Sequence, residues 1–316
     1  MNNLSDRPGL PEPGNTTLAR NILFLKILKD LAAACSERGL VLLAIKGSAF
    51  LGREYRDLSE RRMTDVDVLV RQSQFSATER VLVELGARRA PGQNVLQQQS
   101  YERLYYLPSG TLTVAIDLHH AFAHQRAFPI DYERVFADSE THPLEDLRRL
   151  GVRRPSAEHS LLMLALHQLY DAFPAEFRNF HDAQRVLQCN PVDPRKLAAE
   201  AECWGAVPLL QFFLARGGAL KMIVNAESPL RELPLSRIRG RAMRIFLDPG
   251  RDNPFRIPLK SRRAKQILLF YLFCQRWGPA VRFPLHIFRL KTSALVQRLF
   301  GIGGRDRSRE RSPGPT

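Results

Sequence analysis

Residues 65–70 read Asp-Val-Asp-Val-Leu-Val, and no other short stretch restricts the fold of this chain as tightly. Alternate side chains of a strand point to opposite faces, so Asp65, Asp67 and Leu69 share one face and Val66, Val68 and Val70 the other. The valine face requires an apolar layer beneath it. The carboxylate face requires solvent, counter-charge or a ligand. The segment therefore predicts a strand of a covered sheet with an acidic cleft on one side.

Helical and extended patterns surround it. Thr17 can cap a helix over residues 18–38, where Leu23, Leu25, Ile27, Leu28, Leu31 and Ala32 recur with helical period and Gly39 ends the run. Residues 41–45 form a short apolar strand, ended by Lys46-Gly47-Ser48. A second helix is expected from Ser48, carrying Phe50, Leu51 and Tyr55, and a third over residues 76–85, closed by Gly86. Residues 102–107 and 111–119 read as a hairpin about Pro108-Ser109-Gly110. On its second strand Thr113, Ala115, Asp117 and His119 face one way, and Val114, Ile116 and Leu118 the other. From Ser156 onward the pattern is helical, in segments 159–173, 177–188, 194–204 and 208–220.

These signals divide the chain into a flexible leader (1–17), an α+β core (18–143), a helical lobe (144–225), a basic irregular and helical extension (226–300) and a disordered tail (301–316). The 44% apolar content is that of a globular protein. No run approaches the roughly 20 apolar residues of a membrane-spanning helix. The polar, Pro- and Gly-rich leader lacks the layout of a secretory signal. Cys35, Cys189, Cys203 and Cys274 have no metal-ligand spacing and read as small buried hydrophobes. A cytoplasmic protein is expected, peripheral to a membrane if its basic end binds one. That end is distinctive: residues 251–316 hold 15 Lys and Arg against 3 Asp and Glu, a net +12 of the whole-chain +15. It suits nucleic acid or an anionic membrane surface, and equally a packed helix with solvated charges.

The chemistry lies upstream. A Gly-Ser turn follows an apolar strand, two carboxylates share a strand face, and Asp117 sits on a later strand with the same alternation. Mg²⁺ favours hard oxygen ligands, and two such ions can stabilise both the attacking and the leaving oxygen of a phosphoryl transfer. Gly47 permits close approach of a phosphate. Lys46 and Arg62 are candidate phosphate contacts or ordinary surface cations. His119 is a candidate substrate contact or a structural histidine, and His167 and Asp182, on amphipathic helices, read as structural hydrogen-bonding groups ahead of substrate contacts.

Lys46-Gly47-Ser48-Ala49-Phe50, then Arg62-Met63-Thr64-Asp65-Val66-Asp67, then Ile116-Asp117-Leu118-His119-His120 together resemble an uncharacterised nucleotidyltransferase family of the DNA polymerase β superfamily. The likeness runs over residues 18–188. It implies a polymerase-β-like core of mixed sheet and helices with a mainly helical C-terminal lobe. It also implies transfer of a nucleoside monophosphate from an NTP, with ATP expected, to a hydroxyl acceptor. By carry-over, Asp65 and Asp67 bind two Mg²⁺ ions, Asp117 binds one and deprotonates the acceptor, and Gly47 and Ser48 hold the triphosphate. The chain has His120 where relatives usually carry Trp, and a longer Gly47–Asp65 separation than compact members. A non-catalytic NTP-binding or scaffold module is the alternative, and the acceptor could be RNA, a protein side chain, a sugar or a peptide product.

Overall fold

The computed structural model describes residues 14–91, 101–123, 127–170 and 178–224. The basic helical segments, the irregular stretch from 226 and the tail all fall outside these residues. Among the described residues no helix is long and apolar enough to cross a membrane.

The first helix, α1 (Gly14–Ser36), starts four residues before the expected onset. Phe24, Leu25, Ile27, Leu28, Leu31 and Ala32 are buried, and Leu28 and Leu31 completely so. Each of those two leucines contributes about 2 kcal/mol of apolar burial. Gly39 ends the segment at φ +66, in the left-handed region. The chain then enters β1 (Leu43–Ala44) and the short helix α2 (Lys46–Phe50). Here the structure corrects the sequence reading, which ran this helix through Tyr55. The chain leaves the helix at Leu51, which is extended, and Gly52 follows at φ +95. Tyr55 instead pairs with Leu51 across a tight turn.

β2 (Val66–Leu69) begins one residue after Asp65, so Asp65 sits at the mouth of the strand and Asp67 within it. A helix α3 (Phe75–Glu84) and a short strand β3 (Arg88–Arg89) lead on to the hairpin. The hairpin pairs β4 (Glu102–Ser109) with β5 (Leu112–His119). Pro108 lies inside β4, opposite Thr113, so the turn sits closer to Gly110 than expected. Val114, Ile116 and Leu118 are all buried, matching the alternation read from the sequence. Beyond it come α4 (Tyr132–Ala137), β6 (Glu140–Thr141), α5 (Glu145–Arg149) and β7 (Arg153–Arg154). Four helices complete the described part: α6 (Ala157–Tyr170), α7 (Arg178–Cys189), α8 (Pro194–Cys203) and α9 (Val207–Ala219).

The protein is thus α+β, built on one mixed sheet in the order β3-β4-β5-β2-β1-β7-β6. β2 runs parallel to β5 and antiparallel to β1, while β1 runs parallel to β7. The register between β2 and β5 sets Asp67 opposite Asp117 and Leu69 opposite His119. Two residues of β1 therefore carry a strand on each side. Of the cysteines, Cys35 is buried as expected, but Cys189 and Cys203, each the last residue of its helix, are exposed. Cys274 lies outside the described residues.

Candidate active site

The β2–β5 register brings two acids that are 50 positions apart in sequence onto adjacent strands. Asp67 is 2% exposed, and a carboxylate that deep needs compensation. Lys46 provides it: its ammonium donates to Asp67 Oδ1 at 2.6 Å. His119 Nε2 lies 3.1 Å from the same oxygen, and its Nδ1 3.4 Å from Glu102 Oε2. Lys46 adopts φ +51, a left-handed conformation that costs a side-chain-bearing residue about 1–2 kcal/mol. Its ammonium is what that backbone geometry delivers to the acids.

Burial would raise the Asp67 pKa, but Lys46 and His119 outweigh it and hold the carboxyl well below the usual range. Burial and then the charge of Asp67 push Asp117 up to about 6. The same two causes, in the same order, raise Asp65, which accepts a 3.0 Å hydrogen bond from Thr64. Burial alone would lower Lys46, yet Asp67 foremost and then Asp65 and Asp117 hold it protonated, above its ordinary value. One ammonium thus faces three carboxyls, two of which ionise with difficulty. A cluster short of positive charge in this way fits a divalent cation. Ligand atoms of Asp67, Asp117 and His119 all lie within 4.8 Å of one another, and Asp65 stands beside this triplet without belonging to it.

Two cavities flank the acids. The first is lined by Lys46, Gly47, Arg61, Asp65 and Asp67 from the core and by Met163, His167, Arg178, Asn179 and Asp182 from α6 and α7. The second is lined by Asp117, His119, Tyr101, Glu102 and Phe122, and shares Lys46, Asp65, Met163 and His167 with the first. The acids therefore sit between two chambers with different walls. Ser48 is buried, with its hydroxyl directed at the carbonyls of Ile45 (3.2 Å) and Asp67 (3.4 Å). Its own carbonyl meets His142 Nε2 at 3.0 Å. Arg62 is exposed and lines an outer groove with Glu60, His181 and Arg185, and it lines neither acidic chamber.

Its neighbour Arg61 is the inward-facing arginine. Arg61 and Met63 are buried while Arg62 and Thr64 are exposed, the alternation of an extended segment. The apolar Met63 fixes the inward parity, and that signal could have singled out Arg61 from the sequence. Asp182 does serve as a buried hydrogen-bonding group: it accepts from Arg61 Nε (2.8 Å), Arg61 Nη2 (2.7 Å) and the Tyr55 hydroxyl (2.7 Å). His167 Nδ1 accepts from Asn179 at 3.2 Å, with the ring against both chambers. Tyr101, Glu102, Phe122 and Asn179 carried no motif and are placed only by the fold.

An acidic cluster on parallel strands, beside a Lys-Gly turn and two chambers, has the parts of a group-transfer site for phosphorylated substrates. The model of an uncharacterised nucleotidyltransferase family matches residues 12–216, and the chain belongs to that family. No curated protein matches the sequence. Among solved structures, the crystal structure of ANT(2'')-Ia in complex with adenylyl-2''-tobramycin aligns at 15% identity with a TM-score of 0.40, covering 57% of this chain and 95% of that one. The solution structure of the antibiotic-resistance factor ANT(2'')-Ia aligns at 19% identity with a TM-score of 0.39, covering 64% and 96%.

Proposed function

We propose that the protein transfers a nucleoside monophosphate from an Mg²⁺-bound NTP, ATP in the first instance, to a hydroxyl acceptor, releasing pyrophosphate. The observation that carries this reading is the opposition of Asp67 and Asp117 on parallel strands, with Asp65 at the strand mouth and Lys46 bound to Asp67 within the field of the other two acids. Asp65, Asp67 and Asp117 would hold Mg²⁺, which when bound supplies positive charge to the attacking and leaving oxygens.

The two chambers support a division of labour. Gly47 lines only the first and Asp117 only the second. The triphosphate belongs with Gly47 and the arginines, where its negative charge is matched. The acceptor belongs with Asp117, where Tyr101 and Phe122 offer flat apolar walls. Asp117, pushed up to about 6, is a stronger base than an ordinary carboxylate and still ionised near neutrality. It takes the acceptor proton as the acceptor oxygen bonds to the α-phosphorus and the bond to pyrophosphate breaks. Lys46 remains beside Asp67 and neutralises charge on the transferred group. The net +12 of residues 251–316 supports an anionic partner, nucleic acid or a membrane surface.

The test is label transfer from NTPs carrying a radiolabelled α-phosphate into a cell extract, comparing wild type with Asp65→Ala/Asp67→Ala. Label moving to an acceptor with wild type alone supports the reading. Mg²⁺-dependent NTP binding without transfer to any acceptor favours a binding module, and no NTP binding at all sinks the proposal.

A further inference from the structure

Glycine at position 47 was expected to make room for a phosphate, yet its missing side chain leaves room for a guanidinium. A Cβ built on Gly47 would lie 2.4 Å from Arg61 Nη1, far inside contact distance. Arg61 is held from the other side. Asp182 of α7 takes Nε and Nη2 in a two-pronged pair, and neither bond uses Nη1. The Tyr55 hydroxyl binds Asp182 Oδ1 as well, so that oxygen carries two donors. Behind the arginine, Asn21 of α1 fixes the chain: its amide donates to the carbonyls of Leu58 and Arg61, and its oxygen accepts from the Met63 N–H. Arg61 and Asp182 are 9% and 0% exposed in their side chains, respectively.

A buried ion pair of this kind stabilises little compared with apolar packing of the same volume. What it does supply is a guanidinium of fixed orientation with one edge left over. That edge lies at the Gly47 turn, in the chamber that also contains Lys46, Asp65 and Asp67.

We infer that Arg61 is a triphosphate-binding residue of this enzyme, presenting Nη1 across Gly47 to a non-bridging phosphate oxygen, and that Asp182 and Tyr55 are the positioning residues that aim it. The inference rests on the nucleotidyl-transfer reading and extends it. Anionic oxygens suit the planar fork of arginine, and a guanidinium already held by a carboxylate loses little side-chain freedom on binding. The helical lobe thereby takes part in nucleotide binding through Asp182, which acts by aiming Arg61.

Titration calorimetry on the full-length protein tests this, with Mg²⁺ and α,β-methylene-ATP as the triphosphate probe and adenosine as the phosphate-free probe. Arg61→Lys keeps the charge but loses the fork. It should weaken the triphosphate probe by about tenfold or more, the worth of a charged hydrogen bond, and leave adenosine unchanged. A merely structural role would weaken both probes together or neither, and either result overturns the inference. If Arg61→Lys does not fold, as judged by circular dichroism, Tyr55→Phe carries the test. It removes one bond from Asp182 and should weaken the triphosphate probe selectively, by about threefold. Unchanged triphosphate affinity in a folded Tyr55→Phe protein then overturns the inference. Absence of Mg²⁺-dependent triphosphate binding by wild type is a separate outcome, and it removes the nucleotidyl-transfer reading along with the inference.

Discussion

Replacing Asp182 with asparagine changes almost no volume and removes one charge. Asp182 is fully buried and accepts three hydrogen bonds, two from Arg61 and one from Tyr55. An asparagine keeps one acceptor oxygen, which in the place of Oδ1 can still serve both Arg61 Nε and the Tyr55 hydroxyl. Its amide group, however, is brought against Arg61 Nη2, donor against donor. The guanidinium loses its counter-ion in a site where Arg61 has little access to water. Breaking a buried pair from one side costs about 3–5 kcal/mol. For a folded unit of this size each kcal/mol lowers Tm by about 2–4 °C, so Asp182→Asn should melt about 6–20 °C below wild type. Thermal unfolding of the full chain by circular dichroism measures this. The double variant Arg61→Met/Asp182→Leu removes both charges and should recover at least half of the loss, because an apolar pair of similar volume replaces the ion pair. A melting point within about 2 °C of wild type for Asp182→Asn would show that the guanidinium finds water, and the buried clamp would be wrong.

Three further outcomes follow from the same structure. Asp117 is pushed up to about 6, so it is ionised above that pH and protonated below it; added Mg²⁺ should raise Tm more at about pH 7.5 than at about pH 5, and equal shifts in scanning fluorimetry would count against Asp117 as a ligand. His142 donates from Nε2 to Ser48 and accepts the Leu144 N–H on Nδ1, and burial lowers its pKa from 6.5 to about 4. The unfolded chain then takes up this proton first, so stability falls by about 3 kcal/mol as pH drops from 6.5 to about 4; denaturant titrations should show a shallower acid slope for His142→Gln, and parallel slopes would refute the assignment. Gly52 combines φ +95 with a would-be Cβ only 2.8 Å from Leu144 Cδ2, so Gly52→Ala should destabilise by about 1–3 kcal/mol in urea unfolding, against the gain expected at an unstrained glycine.

The acidic strand was legible because its signal is local. Period-two alternation at 65–70 and 111–119 gives both the buried valine and isoleucine faces and the carboxylate face, with no knowledge of what pairs with what. The order β5-β2-β1-β7 was not legible, since β1 and β7 contribute two residues each and two residues carry no period. The α2 boundary differs because Phe50, Leu51 and Tyr55 mimic a helical stripe, while the chain breaks at Leu51, which is extended, and Gly52, at φ +95. Arg61 and Arg62 are chemically identical to a motif reader. Only the parity set by Met63 separates the inward from the outward one. The chamber walls at Tyr101, Phe122 and Asn179 are assembled from segments remote in sequence, and no local pattern marks them.

The two-residue strand β1 has a consequence for how the molecule comes apart. It is flanked by β2 from the core and β7 from the chain that leads into the helices, so neither side keeps an intact sheet if the other is lost. A buried knot draws the same halves together: Arg154 of β7 binds Glu54 and Asn190, and Asn190 in turn binds Glu54. Unfolding one lobe would strand the buried charges of the other. In a scanning calorimeter the described part of the protein should therefore absorb heat in a single cooperative peak, with equal calorimetric and van't Hoff enthalpies, rather than in the two steps that separable lobes would give.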